Sequence, residues 1–278
     1  MLRSLLGACA LAATSGLALS GAQAFDESKY PDWKGQWVRI GGGGVWDPTK
    51  PAGRGQQPPV TEETRALWEK NIADARNGGQ YYNTQVRCLY SGMPRMMMAY
   101  EPMEVIVLPE ITYIAITFNN EFRRIYTDGR DFPTDDDSSF AGYSIGKWVD
   151  EDGDGKYDVL EVETRNLKGP RIFDASGIPF HEDNQTVVKE RIYQDKANPN
   201  ILRDQITTMD HALTKPWTIT RSYQRAANTV WVEHSCAEAN DWIFIEGESY
   251  MVGIDGKLLP TRKDQPPPDL RYFKPAPK

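Results

Sequence analysis

The sequence predicts a single all-β domain, built as a closed or nearly closed antiparallel β-barrel with one N-terminal helix and a Pro-rich extended tail. Three observations predict this fold. After residue 87 the chain consists of short segments rich in Val, Ile, Thr and aromatic residues, separated at regular intervals by turn residues. Before residue 87 one segment has helical character, and no linker divides the chain into two units. The barrel domain is therefore expected over residues 25–264 and the tail over 265–278.

Several segments have the length and the apolar/polar alternation of strands with one buried face. The first of them is a long run rich in Val, Ile, Tyr and Thr, residue types that favour strands. The predicted strands are 104–118, 122–127, 144–149, 157–165, 185–194, 201–209, 218–224, 231–236 and 248–252. This spacing predicts the strands but not the order in which they pair.

The helix is predicted over residues 61–77. Two prolines precede it, Thr61 can cap its first turn, and two glutamates follow at its positive end. Gly78 and Gly79 end it. The segment before the helix, residues 41–59, is rich in Gly and Pro and is expected to be a mobile loop.

Residues 1–24 resemble a bacterial export signal, with Arg3, an apolar run, and Ala22-Gln23-Ala24 at the end. We expect cleavage after Ala24 and a periplasmic or secreted mature chain. Lipidation at Cys9 is a less favoured alternative, because the apolar run before it is short. No other run of about 18 apolar residues occurs, so no transmembrane segment is predicted in the mature chain.

Removal of the signal leaves Cys88 and Cys236, which in an oxidising compartment most simply form a disulfide. Two free thiols are the alternative, but neither cysteine lies in a motif that would activate it. The chain has 39 acidic and 32 basic residues, and the basic ones are scattered. Nucleic acid is therefore not a predicted partner.

Gly35-Gln36-Trp37, near the start of the β-rich region, resembles the opening motif of lipocalin-type (calycin) barrels. This resemblance implies a barrel whose interior or mouth binds a small apolar or aromatic molecule.

From residue 92 to 240 the chain also resembles a family of exported bacterial proteins that are largely uncharacterised. The blocks that carry this resemblance are 92–98 (GMPRMMM), 123–130 (RRIYTDGR), 142–148 (GYSIGKW), 187–191 (VVKER), 214–217 (TKPW) and 236–238 (CAE). The family resemblance covers over half of the mature chain and implies no particular activity.

Segment 118–130 contains three arginines, two carboxylates and a tyrosine directly after an apolar strand. Burying such a cluster beside a core costs free energy unless its charges are paired with one another or bind a ligand. A structural ion-pair network is one reading. In the other, Arg123, Arg124 or Arg130 stabilises an oxyanion or binds a carboxylate, with Tyr126 and Asp128 as supports.

His181, His211 and His234 each have an acidic neighbour in sequence. Asp210 and His211, at a predicted turn, are the candidate acid–base pair, since a carboxylate can orient an imidazole. A histidine that is merely hydrogen-bonded to loop backbone is the alternative. The spacing matches no metal motif, so a transition-metal site would require convergence from distant segments.

A methionine-rich segment, residues 93–103, offers an apolar wall that adapts to varied ligands. Met97, Tyr100 and Glu101 are candidate contacts for an aromatic or lipidic ligand, together with Trp217 and His181. Thioether binding of cuprous copper is a less favoured alternative.

Residues 150–161 place carboxylates at alternate positions around Gly155, in the written pattern of a calcium loop. The flanking segments resemble strands rather than the helices of an EF-hand. We expect a hairpin loop that binds calcium for a structural purpose; a solvated acidic turn is the equal alternative. The predicted ligands are Asp150, Asp152, Asp154 and Asp158.

Motifs for nucleotide binding, haem attachment and a serine nucleophile elbow do not occur, so no cofactor is predicted to be required. The sequence thus predicts a protein that binds a small apolar or aromatic molecule. Cofactor-independent lyase, isomerase or hydratase chemistry is the enzyme hypothesis. The alternative is a non-catalytic ligand-binding or envelope structural protein.

Overall fold

The computed structural model describes residues 25–41, 57–79, 84–134, 137–174, 176–227, 230–238 and 241–271. The predicted export signal, most of the predicted Gly/Pro loop (42–56) and the end of the Pro-rich tail (272–278) lie outside these ranges.

Within the described residues, nine strands close into a barrel in chain order. All neighbouring strands are antiparallel except β4 and β5, which are parallel, and β1 closes the ring by pairing with β9. The predicted all-β barrel is confirmed, and its sheet is antiparallel except at that one joint. The strands are β1 (Gln36–Ile40), β2 (Met103–Val107), β3 (Ile111–Ile116), β4 (Glu121–Tyr126), β5 (Tyr143–Val149), β6 (Val159–Arg165), β7 (Val187–Asp195), β8 (Asn198–Met209) and β9 (Trp217–Ala226).

The predicted helix is present as α1 (Glu62–Arg76). The Thr61 side chain caps it by accepting a hydrogen bond from the Thr64 backbone N–H. A bridge between Val60 and Leu213 attaches the start of the helix to the turn before β9. The helix is thereby held against one end of the barrel.

A second, three-stranded sheet follows the barrel, formed by β10 (Trp242–Ile245), β11 (Glu248–Val252) and β12 (Leu258–Pro260). The barrel itself ends with β9, before the predicted boundary at residue 264. Cys88 and Cys236 form the predicted disulfide, with Cα atoms 5.4 Å apart. This bond ties the segment that precedes the second sheet to the segment that precedes β2.

Two predicted strands differ from the structure. The predicted strand 104–118 is a hairpin of β2 and β3 that turns at residues 108–110, where Pro109 has no N–H to donate. The predicted strand 231–236 pairs with no other strand among the described residues, and the neighbouring Val230 is 78% exposed. Strands β1, β10 and β12 are short and were not predicted.

The Gly-x-Trp segment lies where the barrel closes. Trp37 is fully buried, and its indole N–H donates to the Trp33 carbonyl at 3.0 Å. Arg225, its register partner on β9, lies with its guanidinium carbon 4.4 Å from the ring centroid. Buried side chains from every barrel strand join one hydrophobic cluster, so the interior is packed with protein side chains.

Strand β4 shares fewer register pairs with β5 than with β3, its neighbour on the other side. Ile125 pairs with Ser144 and Tyr126 with Ile145, whereas the first part of β4 has no register partner on β5. On its other side β4 pairs with β3 along its whole length. We call this short parallel joint the seam.

The Arg123 side chain closes the seam from inside the barrel. Its Nε donates to Ser144 on β5 at 3.1 Å, and its Nη2 donates to Thr164 on β6 at 2.9 Å. It also donates to both carboxylate oxygens of Glu190 on β7, at 2.9 and 2.5 Å. The two charged side chains are at most 1% exposed. Arg123 therefore links β4 to β7 through a buried ion pair and to β5 and β6 through hydrogen bonds.

Asp204 on β8 lies beside this ion pair and is fully buried. Burial, together with the neighbouring Glu190 charge, raises the pKa of Asp204 well above its usual range. Folding therefore favours the protonated form of Asp204 more than the unfolded chain does.

The ion pair gives a stability prediction. Arg123→Met should lower the free energy of unfolding by about 3–5 kcal/mol, because it leaves Glu190 buried and unpaired. Arg130→Met is the matched control, since Arg130 pairs with Asp128 at the surface and should change stability little. Urea unfolding measures both, and similar losses in the two variants would contradict the assigned role of Arg123.

The raised pKa of Asp204 gives a prediction for how stability depends on pH. Because its folded pKa is raised, Asp204 keeps its proton to higher pH in the folded protein than in the unfolded chain, which releases it above about pH 4; this group therefore makes stability fall as pH rises toward its folded pKa. Asp204→Asn removes the titrating group, so the free energy of unfolding should fall less steeply with pH in this variant than in the wild type. Urea unfolding at several pH values above about 4 compares the two slopes; equal slopes would refute the raised pKa.

Candidate functional site

A cleft of about 500 Å³ opens on the barrel wall where β4 and β5 separate. This volume is within the range of small-molecule sites. The outer face of β4 forms one wall, and residues 137–142, just before β5, form the other; Lys168 and Tyr90 also line the cleft. We call it the seam cleft. It exists because the first part of β4 has no partner on β5.

The alternation of β4 divides the predicted arginine cluster between two faces. Arg123 points inward and belongs to the buried ion pair. Phe122, Arg124 and Tyr126 are the outward residues and line the seam cleft. Arg130 lies beyond the end of the strand. The structural reading therefore applies to Arg123, and the anion-binding reading stays a prediction for Arg124.

Arg124 and Lys168 provide positive charge in the seam cleft. Neither forms an ion pair within the described part of the chain. The Arg124 guanidinium lies 5.8 Å from the Phe122 ring centroid, and the Lys168 ammonium lies 5.2 Å from that of Phe140. Cations beside aromatic rings favour a ligand that is both anionic and aromatic.

Glu121, one of the two carboxylates of the predicted cluster but not one of its candidate site residues, is the buried carboxylate of this cleft; Asp137 is a second, exposed one. It is 4% exposed, and its oxygens accept hydrogen bonds from the backbone N–H groups of Ser91 and Gly92 at 2.5 and 3.1 Å. Burial raises the pKa of Glu121, although these hydrogen bonds oppose the rise. A carboxyl group with a raised pKa in a cleft is suited to proton transfer.

Tyr126 and Tyr143 form a stacked aromatic wall, with ring centroids 5.0 Å apart. The Arg130 guanidinium lies 3.9 Å from the Tyr126 ring and is held by Asp128, whose oxygens accept from its Nε at 2.9 Å. The Arg130 hydrogen bond lowers the pKa of Asp128. Arg130 and Asp128 therefore help to hold the aromatic wall in position.

The structure replaces the predicted Asp210–His211 pair with Asp183–His211. The His211 ring contacts Asp183 through Nδ1, whereas Asp210 accepts from the backbone N–H groups of His181 and Ala212. The hydrogen bond to Asp183 raises the pKa of His211. Partial burial raises the pKa of Asp183. The hydrogen bonds from His211 and the Gln185 backbone outweigh this and lower the pKa of Asp183 to about 2. None of these residues lines the seam cleft.

The residues predicted at the barrel mouth have mixed positions. Met97 is buried in the core, and its carbonyl accepts a hydrogen bond from Tyr223. Trp217 packs on Phe173 with centroids 4.2 Å apart. Tyr100 and Glu101 are exposed, and the Tyr100 ring is stacked under an arginine. Met97 and Trp217 are therefore packing residues of the hydrophobic core.

In the acidic loop, the carboxylates of Asp150, Asp152 and Asp158 lie within 4.8 Å of one another, and Asp154 does not join them. The loop connects antiparallel β5 and β6, as predicted. Asp150 already accepts from two backbone N–H groups, at 2.7 and 2.9 Å, and Lys196 approaches Asp152 at 3.3 Å. These contacts order the turn without an ion, and calcium binding stays a prediction.

Comparison with protein family models gives no match, and comparison with curated proteins gives none either. Among the described residues, no helix combines the length and the apolar character needed to cross a membrane. The chemistry of the seam cleft is therefore the basis for a functional proposal.

The calcium prediction is tested by thermal unfolding with calcium and with excess chelator at fixed pH. Bound calcium should raise the melting temperature of the wild type and not that of Asp152→Asn, because an ion that binds only the folded state stabilises it. An unchanged melting temperature in the wild type would favour the solvated turn.

Proposed function

We propose that the seam cleft binds a small aromatic molecule that carries a carboxylate or a similar anionic group. The single observation that carries this proposal is the pairing of two cations, Arg124 and Lys168, with aromatic walls in one cleft of about 500 Å³. The ligand site is placed in the cleft and not inside the barrel, because the interior is occupied by core side chains.

The expected mode of binding follows from the lining. The anionic group lies near Arg124 and Lys168, where the guanidinium can donate two parallel hydrogen bonds to a carboxylate. The aromatic ring lies against Tyr126 and Phe140. Glu121 also lines the cleft, from the inward side of β4, with its carboxylate held by the Ser91 and Gly92 backbone.

The catalytic version of the proposal is a cofactor-independent proton transfer of the lyase, isomerase or hydratase type. Glu121 exchanges the proton, since its raised pKa brings it closer to neutral pH, and Arg124 stabilises the charge that develops on the substrate. The non-catalytic version is a ligand-binding protein with the same cleft. The Cys88–Cys236 disulfide supports an exported, oxidising location for either version.

Binding of benzoate and of benzyl alcohol, which has the same ring but no charge, tests the proposal. Benzoate should bind more tightly, and Arg124→Gln and Lys168→Gln should each weaken it about tenfold, or about 1.4 kcal/mol. Isothermal titration or ligand-observed NMR measures these affinities.

Lys147→Gln is the matched control, because Lys147 is exposed on β5 and does not line the cleft. Equal binding of the neutral and charged ligands, or an equal loss in Lys147→Gln, would contradict the proposal. Glu121→Gln separates the two versions: benzoate affinity should persist, while turnover of a true substrate should fall by about 100-fold or more in the catalytic version.

A further inference from the structure

Two histidines and an aspartate converge at the end of the barrel that carries α1. His181 Nδ1 lies 3.1 Å from one carboxylate oxygen of Asp183, and His211 Nδ1 contacts the other. The two imidazole centroids are 5.7 Å apart. One ligating atom from each of the three residues lies within 4.8 Å of the other two. The segments before β7 and after β8 thus supply the long-range convergence that the sequence could not show.

Asp210 holds these two segments in position. One of its oxygens accepts from the His181 backbone N–H at 3.0 Å and from the Ala212 backbone N–H at 2.7 Å. Its other oxygen accepts from the Thr186 hydroxyl, which in turn accepts from the buried Arg171. A single carboxylate therefore fixes the backbone beside both histidines, which preorganises the cluster.

We propose that His181, Asp183 and His211 bind a divalent transition metal ion, with Zn²⁺ as the expected occupant. Two imidazole nitrogens and one carboxylate oxygen are a donor set that suits zinc, whereas calcium prefers oxygen ligands alone. Three protein ligands leave at least one coordination position open.

A cavity of about 300 Å³ lies beside the cluster, lined in part by His181, Phe180 and Asn184. Arg171 also lines it and is 3% exposed. Within the described residues, the Nε and Nη1 atoms of Arg171 have no hydrogen-bond partner. A buried guanidinium with free donors favours an anion, so the cavity beside the proposed metal is a site for water or a small anionic ligand.

This site is independent of the seam cleft, with which it shares no lining residue. It is also distinct from the acidic loop. That loop joins β5 to β6 at the other end of the barrel from the histidine cluster. The proposal can therefore fail without affecting the proposed ligand site, and the reverse also holds.

The test is calorimetric titration of Zn²⁺ into metal-free protein that lacks only the predicted export signal. The wild type should bind one equivalent, and His211→Ala should weaken binding by about 10- to 100-fold or more. His211 is well suited to this substitution because its side chain is 68% exposed, so folding should be retained. His181→Gln is the second variant and should give a similar loss.

His234→Ala is the matched control, since His234 is also exposed but contacts Asn119 and Asn120 instead. Asp152→Asn controls for zinc at the acidic loop. The proposal is supported if affinity falls in the His211 and His181 variants alone. It is overturned if the wild type does not bind zinc, if His211→Ala binds as tightly as the wild type, or if either control loses as much affinity.

Discussion

The buried ion pair between Arg123 and Glu190 is the interaction on which the rest of the barrel depends. Strands β4 and β5 run parallel and share only a short register, so backbone hydrogen bonds alone hold this joint weakly. Arg123 compensates by bonding to side chains on β5, β6 and β7 at once. Two charges are thereby removed from water, which costs free energy unless every donor has a partner. The hydroxyls of Ser144 and Thr164 supply the partners that the Glu190 carboxylate does not.

The same joint explains why the candidate site lies on the outside of the barrel. A side chain closes the seam on the inner face, whereas the first part of β4 has no pairing partner on β5 among the described residues. The crossover loop that a parallel connection requires covers the gap and becomes the far wall of the cleft. Arg123 and Arg124, adjacent in sequence, consequently have different surroundings: one lies in the buried ion pair and the other lines the proposed ligand site.

Local patterns in the sequence were sufficient for most strands, the helix and the disulfide, because alternation, capping residues and cysteine pairing depend on few neighbours. The parallel joint depends on a distant pairing and was not predictable from local periodicity. The inward position of Arg123 could have been inferred from the alternation of β4, and the same alternation places Glu121 inward. The contact between Asp183 and His211 depends on the paths of two loops, so proximity in sequence pointed to Asp210 instead.

The most direct test of the account is a crystal structure of the protein soaked with 3-bromobenzoate, located by anomalous scattering from bromine. We expect one bromine peak in the cleft between β4 and the crossover loop, with the carboxylate within hydrogen-bonding distance of Arg124. A peak inside the barrel, or none in the cleft while the ligand binds elsewhere, would contradict the claim that the open seam is the ligand site.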